Sequence, residues 1–259
     1  MTGCNNFKEY FKECTHLQYN GQLKIQSKTG NKWTFYYRLG RIVWASGGAH
    51  PYRRWRRYVK QYCSHISTKY LQSICPDISI EHWDYQVLEK LYEKEKIPRE
   101  TINIIAENCI TELLFDITQQ AHFHSVSCDR SQDIILKTPI SLTSTDISLS
   151  DMEQSWNKWL EAGLTNISPN QSPILRRPHQ LKQEVSKVSF ENFVKFMNGN
   201  YTLRDLAFIM KHNLTSVTRS LLPYILKGII ELVEVNDKPI QFHTFDQQCN
   251  TINFSSKIP

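Results

Sequence analysis

Hydrophobic and polar positions alternate with a period of two between Asn31 and Arg38. Trp33, Phe35 and Tyr37 interleave with Thr34, Tyr36 and Arg38, the pattern of a strand with one buried face. Leu39-Gly40-Arg41 reads as a tight hairpin turn, with glycine supplying a positive φ. Ile42, Val43 and Trp44 form the return strand, and Ser46-Gly47-Gly48 stops it. Upstream, Leu23 and Ile25 alternate within residues 18–27, and Lys28-Thr29-Gly30-Asn31 makes another turn. The economical arrangement is a three-stranded antiparallel meander.

On either side the period lengthens to that of a helix. Phe7, Tyr10, Phe11 and Cys14 predict a short amphipathic helix before the strands. After Pro51 a second helix carries Trp55, Tyr58, Val59 and Tyr62 towards a core. Arg53, Arg57 and Lys60 then lie outward, with Arg54 and Arg56 on the flanks. A third helix is capped by Ser79 and packs through Trp83, Val87, Leu88 and Leu91. Lys96-Ile97-Pro98 interrupts it. A fourth, from about residue 99 to 120, turns Ile102, Ile105, Ala106, Cys109, Leu113 and Ile117 to one side. The last two make an antiparallel helical hairpin.

Residues 122–138 read as two short strands around a turn at Asp129-Arg130-Ser131, and they extend the meander. The helices are then an insertion within a sheet domain. A Ser/Thr-rich connection over 142–150 leads to a helix capped by Ser150 or Asp151, faced by Trp156, Trp159 and Leu160 and ended by Gly163. A loop over 168–173 follows. The final unit reads as three helices and a β-hairpin. FENFVKFM is the first helix. Thr202 caps LRDLAFIMKH with Asp205 in the capping-box position, and Ser216 opens VTRSLLPYILKG. Ile229–Val235 and Ile240–Phe245 are the hairpin strands, which is the plan of a winged helix.

The fold class is therefore α+β: an antiparallel sheet with a helical insertion, then a winged-helix-like three-helix unit with a β-hairpin. The domain plan is a sheet domain over 1–150 with the helical hairpin at about 79–120, a helix and linker over 151–185, and the winged-helix-like unit over 186–259.

Charge adds one feature. The formal net charge is +6, and it is uneven. Residues 1–130 hold 18 Lys+Arg against 13 Asp+Glu, whereas residues 131–259 hold 13 against 12. The excess is concentrated between Arg53 and Lys60. Such a patch suits acidic partners. Arg53, Arg54, Trp55, Arg56 and Arg57 are the candidate partner-binding residues, because arginine's planar fork pairs with carboxylates at interfaces. The alternative is a solvated face whose arginine stems cover aromatic surface.

Other chemistry is sparse. The seven cysteines are scattered without metal spacing and read as reduced thiols, several of them in the core. His122 and His124 would share a strand face, but no third ligand accompanies them. No phosphate-cradling glycine loop, nucleophile elbow or His-Glu-x-x-His motif occurs. The expectation is no catalytic residue, no metal and no cofactor. No apolar run approaches the roughly 20 residues of a membrane-spanning helix, and the N-terminus lacks a signal-peptide core. No membrane insertion and a cytoplasmic location follow as expectations.

Three stretches, in order, resemble the PATAN domain of PatA-type response regulators of cyanobacteria. They are GRIVWASGG followed by HPYRRWRR; HWDYQVL, a Lys-Ile-Pro-Arg link and ENCITELLFDITQQ; and SWNKWLEAGL followed by NISPNQSPIL. The C-terminal helices also look like that family's. The resemblance implies a two-component phosphorelay output that works by protein contact in phototaxis, type IV pilus control or cell patterning. The implied partner is a photoreceptor or pilus motor component with an acidic surface, and an oligomer is compatible with it. A receiver domain usually follows in the family, and no receiver pattern is present in these residues.

The alternative is a transcription regulator that reads DNA with the third helix of the last unit. That helix carries Val217, Leu221, Leu222, Tyr224, Ile225 and Leu226, with only Arg219 and Lys227 to reach phosphate or bases. A reader needs several polar residues on its groove-facing side. Strong DNA binding is not expected.

Overall fold

The computed structural model describes residues 6–74, 81–134, 136 and 142–238. The protein is mixed α+β, and the chain divides into two compact units, 1–158 and 159–259. The expected boundary at 150 falls inside a helix.

The first unit is built on a four-stranded antiparallel sheet of order β3-β2-β1-β4. Helix α1 (Phe7–His16) precedes β1 (Gly21–Ser27), β2 (Lys32–Arg38) and β3 (Arg41–Gly47). The meander is as the alternation predicts. Leu39 (φ 48°) and Gly40 (φ 72°) form its second turn, and positive φ at both central residues suits the twist of a two-residue hairpin. A Cβ on Gly40 would lie 2.7 Å from the Thr15 carbonyl oxygen, so the turn also requires glycine for space.

After the helical insertion, β4 (Val126–Ser131) returns to pair with β1, Ile25 opposite Cys128. Asp129, Arg130 and Ser131 therefore lie within a strand, not in the predicted turn. His122 is not on a strand either. It closes α5 (Arg99–Phe123), a 25-residue helix that outruns its predicted end. The second strand expected in this stretch, like the Ser79 cap, involves residues outside those described.

The sheet is covered on both faces, which corrects the one-faced strand. In-register partners share a face. Leu23, Ile25, Trp33, Phe35 and Ala45 form an apolar face, where the Phe11 ring of α1 meets Phe35 edge-on at 4.8 Å. Gln22, Thr34, Tyr36, Trp44 and Ser46 form the other, and all five are buried. The start of α4 (Trp83–Glu93) covers this face. Glu81 accepts from the Thr34 hydroxyl, His82 packs on the Tyr36 ring, and Tyr85 lies against Trp44. Alternation alone could not foresee a helix folding back over the polar side.

The helix stripes hold. Trp83, Val87, Leu88 and Leu91 of α4 are buried, as are Ile102, Ile105, Ala106, Cys109, Leu113 and Ile117 of α5. A short helix, α3 (Thr68–Ile74), was not anticipated. Helix α6 runs Thr145–Glu161, so Ser150 and Asp151 are interior to it and cap nothing. Before it, Thr143 bridges to Ile42 through two backbone hydrogen bonds, at 2.8 and 3.1 Å, and covers part of the β3 edge.

In the second unit, β5 (Ser172–Leu175) pairs antiparallel with β6 (Ile230–Val233). Between them lie α7 (Pro178–Glu184), α8 (Lys187–Phe196), α9 (Leu203–Met210) and α10 (Leu214–Leu226). Among the described residues β6 pairs with this upstream strand, and the expected return strand at 240–245 lies outside them. The capping box at α9 forms as predicted: the Asp205 N–H donates to Thr202 Oγ1 and the Thr202 N–H to Asp205 Oδ2, both at 3.1 Å. Helix α10 opens earlier than predicted because Asn213 caps it, accepting from the Thr215 and Ser216 N–H groups. It ends in a Schellman motif: Gly228 takes φ 66°, its N–H donates to the Ile225 carbonyl at 3.0 Å, and the Ile229 N–H donates to the Tyr224 carbonyl at 2.9 Å.

Candidate functional site

The basic segment forms α2 (Pro51–Tyr62), with Pro51 at its first turn, where a missing N–H costs no hydrogen bond. The helix exists as predicted, but its arginines do not form an outward patch. Arg54 is 2% exposed and Arg57 is 8% exposed. Arg53 and Arg56 are half-buried, and only Lys60 among the basic residues of the helix is exposed. Trp55 is buried against Trp83 of α4, ring centres 5.4 Å apart. Of the five candidate partner-binding residues, three belong to the interior. Arg57 was expected outward, and its burial is the clearest correction.

The reason is a charged cluster where α2, α4, α5 and β3 meet. Arg57 pairs with Glu112 of α5, Nη2 to Oε1 at 2.6 Å, with both side chains about one-tenth exposed. The Tyr58 hydroxyl donates to the other oxygen of Glu112 at 3.2 Å. Arg54 donates from Nη2 to the Gly47 carbonyl oxygen at 2.9 Å, satisfying the end of β3. Asp84, 3% exposed, accepts from Trp44 Nε1 at 3.0 Å and from the Tyr85 N–H at 2.9 Å.

The electrostatics follow from burial. Loss of water pushes the Asp84 carboxyl up to about 6, against the pull of Arg54 and the two donors. Burial likewise raises the Cys109 thiol to about 12 and, with Glu112 beside it, holds the Tyr58 phenol well above its ordinary value. Arg54 stays charged: burial opposes its charge, but the carboxylates around it, Glu112 and Asp84, outweigh that. A thiol and a phenol held protonated are poor nucleophiles and poor bases at neutral pH. The cluster fastens helices together.

Glu112 was visible in the sequence only as one of two carboxylates on a helix. Its mate Glu107 is exposed, as such residues usually are. Asp84 and Trp44 carried no chemical signal of their own. The one hint was the crowding of arginines around aromatics, which fits burial as well as docking.

Other candidates disperse. His122 ends α5, 5.6 Å from the Trp156 ring, and His124 caps the helix, so the two are not side by side on a strand. Among the described residues no group of His, Cys, Asp and Glu has the geometry to hold a metal ion, and no helix is long and apolar enough to cross a membrane. On α10, Val217, Thr218 and Leu221 are buried, while Ser216, Arg219, Ser220, Pro223 and Leu226 are exposed. Lys227 is held by Glu184 at 2.7 Å. No family model, no curated protein and no solved structure matches this chain.

Proposed function

We propose that the protein is a non-catalytic signalling adaptor, the output region of a PatA-type response regulator, acting by protein contact in phototaxis or type IV pilus control. The observation that carries protein contact over DNA binding is the outer face of α10. That face presents two serines, a proline, one arginine and Leu226, which is 79% exposed. A groove-reading helix presents several long polar or charged residues at these positions, and on this face Arg219 is the only one. The partner class remains an acidic protein surface, such as that of a photoreceptor or pilus motor component. The basic residues of α2 that keep some exposure are Arg53 and Arg56, both half-buried, and Lys60, and these are the ones assigned to it.

The second reading, a transcription regulator using the C-terminal helices, rests on Arg219 and Lys227 alone. Binding to duplex should then be weak and fall steeply with salt, because phosphate contacts dominate.

The test is capture from native lysate with wild type and with an Arg53→Glu/Arg56→Glu variant, alongside footprinting on genomic DNA fragments. The adaptor reading expects a pilus or photoreceptor protein to be retained by the wild type and lost by the variant. A sequence-specific footprint at physiological salt would overturn it in favour of the regulator.

A further inference from the structure

The buried cluster has a property that neither docking nor packing uses. Three of its four charged groups are straightforward. Arg54 and Arg57 stay cationic, and Glu112 is paired with Arg57 and bonded by Tyr58. The fourth, Asp84, is bonded to neutral donors, the Trp44 indole and backbone N–H groups. Arg54 in turn is bonded to a neutral carbonyl. The attraction between Arg54 and Asp84 therefore acts across the cluster and not through the hydrogen bonds each makes.

We infer that Asp84 is the proton-binding element of a pH-sensitive joint between α4 and the sheet, where it meets the Trp44 indole and the charge of Arg54. Two opposed influences meet at this position, with burial the larger. Removal from water disfavours the carboxylate, while the guanidinium of Arg54 and two N–H donors favour it. Each packed element contributes. From α2 come Arg54 and, behind it, Arg57 and Tyr58. From α5 come Cys109 and Glu112, and from β3 the Trp44 indole. On its own segment His82 and Glu81 precede Asp84 against Tyr36 and Thr34. With Asp84 ionised the two arginines and two carboxylates sum to zero; with Asp84 protonated the cluster carries one positive charge.

The direction is fixed by the sign of the balance. The Asp84 carboxyl titrates above its ordinary value in the folded protein, so the fold binds the proton more tightly than the open chain does. Protonation of Asp84 then fastens α4, while His82, whose value burial lowers, works in the opposite direction; rising pH leaves a buried charge at Asp84 that eases opening.

The experiment uses the intact chain, isotope-labelled at tryptophan and aspartate and titrated from about pH 8 to about pH 3, a range that spans both the folded-state value near 6 and the ordinary value of about 4. The indole resonance missing from Trp44→Phe identifies Trp44. A single step in that resonance is expected, matched by the Asp84 carboxyl carbon and absent from Asp84→Asn. Exchange of α4 amides, corrected for intrinsic rates, should slow by up to about a hundredfold as the step is crossed, the equivalent of about two pH units. If Asp84→Asn fails to fold, the wild-type carboxyl carbon decides: a midpoint near 6 supports the joint. A midpoint at the ordinary value of about 4, or a Trp44 step that persists in Asp84→Asn, overturns it.

Discussion

The first unit carries, besides exposed ion pairs such as Lys12–Glu9, a buried one that contrasts with two pairs of the second. In the first, Arg57 and Glu112 are about one-tenth exposed and clamp helices 55 residues apart in sequence. In the second, Arg176–Glu231 and Lys227–Glu184 involve side chains up to about half exposed. The chemistry is nearly the same and the distances are alike. Solvent makes the difference. A buried charge that loses its partner stays desolvated and uncompensated, while an exposed one is rehydrated. Position in the fold, not residue type, decides whether an arginine is a fastener or a surface group.

The sharpest way to break the comparison is to strip one partner from each pair. Glu112→Ala should destabilise the first unit by about 3–5 kcal/mol, because it removes a buried counter-charge from Arg57 and a hydrogen-bond acceptor from Tyr58. Chemical denaturation measures this directly, and a loss under about 1 kcal/mol would place Arg57 at the surface after all.

Asp84 comes next in size, through pH. Its carboxyl value is raised from 3.8 to about 6 in the fold. A raised acid contributes stability that is complete below the unfolded value and is lost as pH rises through the folded one. Wild type should therefore lose up to about 3 kcal/mol relative to Asp84→Asn between about pH 4 and 7. Parallel curves for the two proteins would contradict the burial argument.

Thr202→Ala removes one half of the α9 capping box and should cost about 1 kcal/mol, read as a lowered melting temperature of the second unit. Smallest of all, Arg176→Ala should change stability by less than about 1 kcal/mol and become neutral at high salt.

What was legible in the sequence was local. The meander followed from alternation and from Gly40, and the α9 capping box from Thr202 and Asp205 standing three apart. The stripes of α4 and α5 followed from helical spacing. What failed was long-range or competitive. A helical wheel placed Arg57 outward because it cannot contain Glu112 on another helix. Thr34 and Tyr36 were assigned to solvent because nothing in their alternation announces the start of α4 above them. Asn213 and Ser216 are both good caps, and only the fold shows that the first is used. The candidate site suffered most, since its identity depends on which charges are buried.

Arg54 and Arg57 of α2 are interior fasteners, and a double-mutant cycle on Arg57 and Glu112 puts that to the test. Arg57→Met, Glu112→Leu and the double variant are unfolded by denaturant and compared with wild type. A coupling of about 1–3 kcal/mol is expected, with the double variant less damaged than the sum of the singles. Single effects that are small and add to within about 0.5 kcal/mol would contradict it.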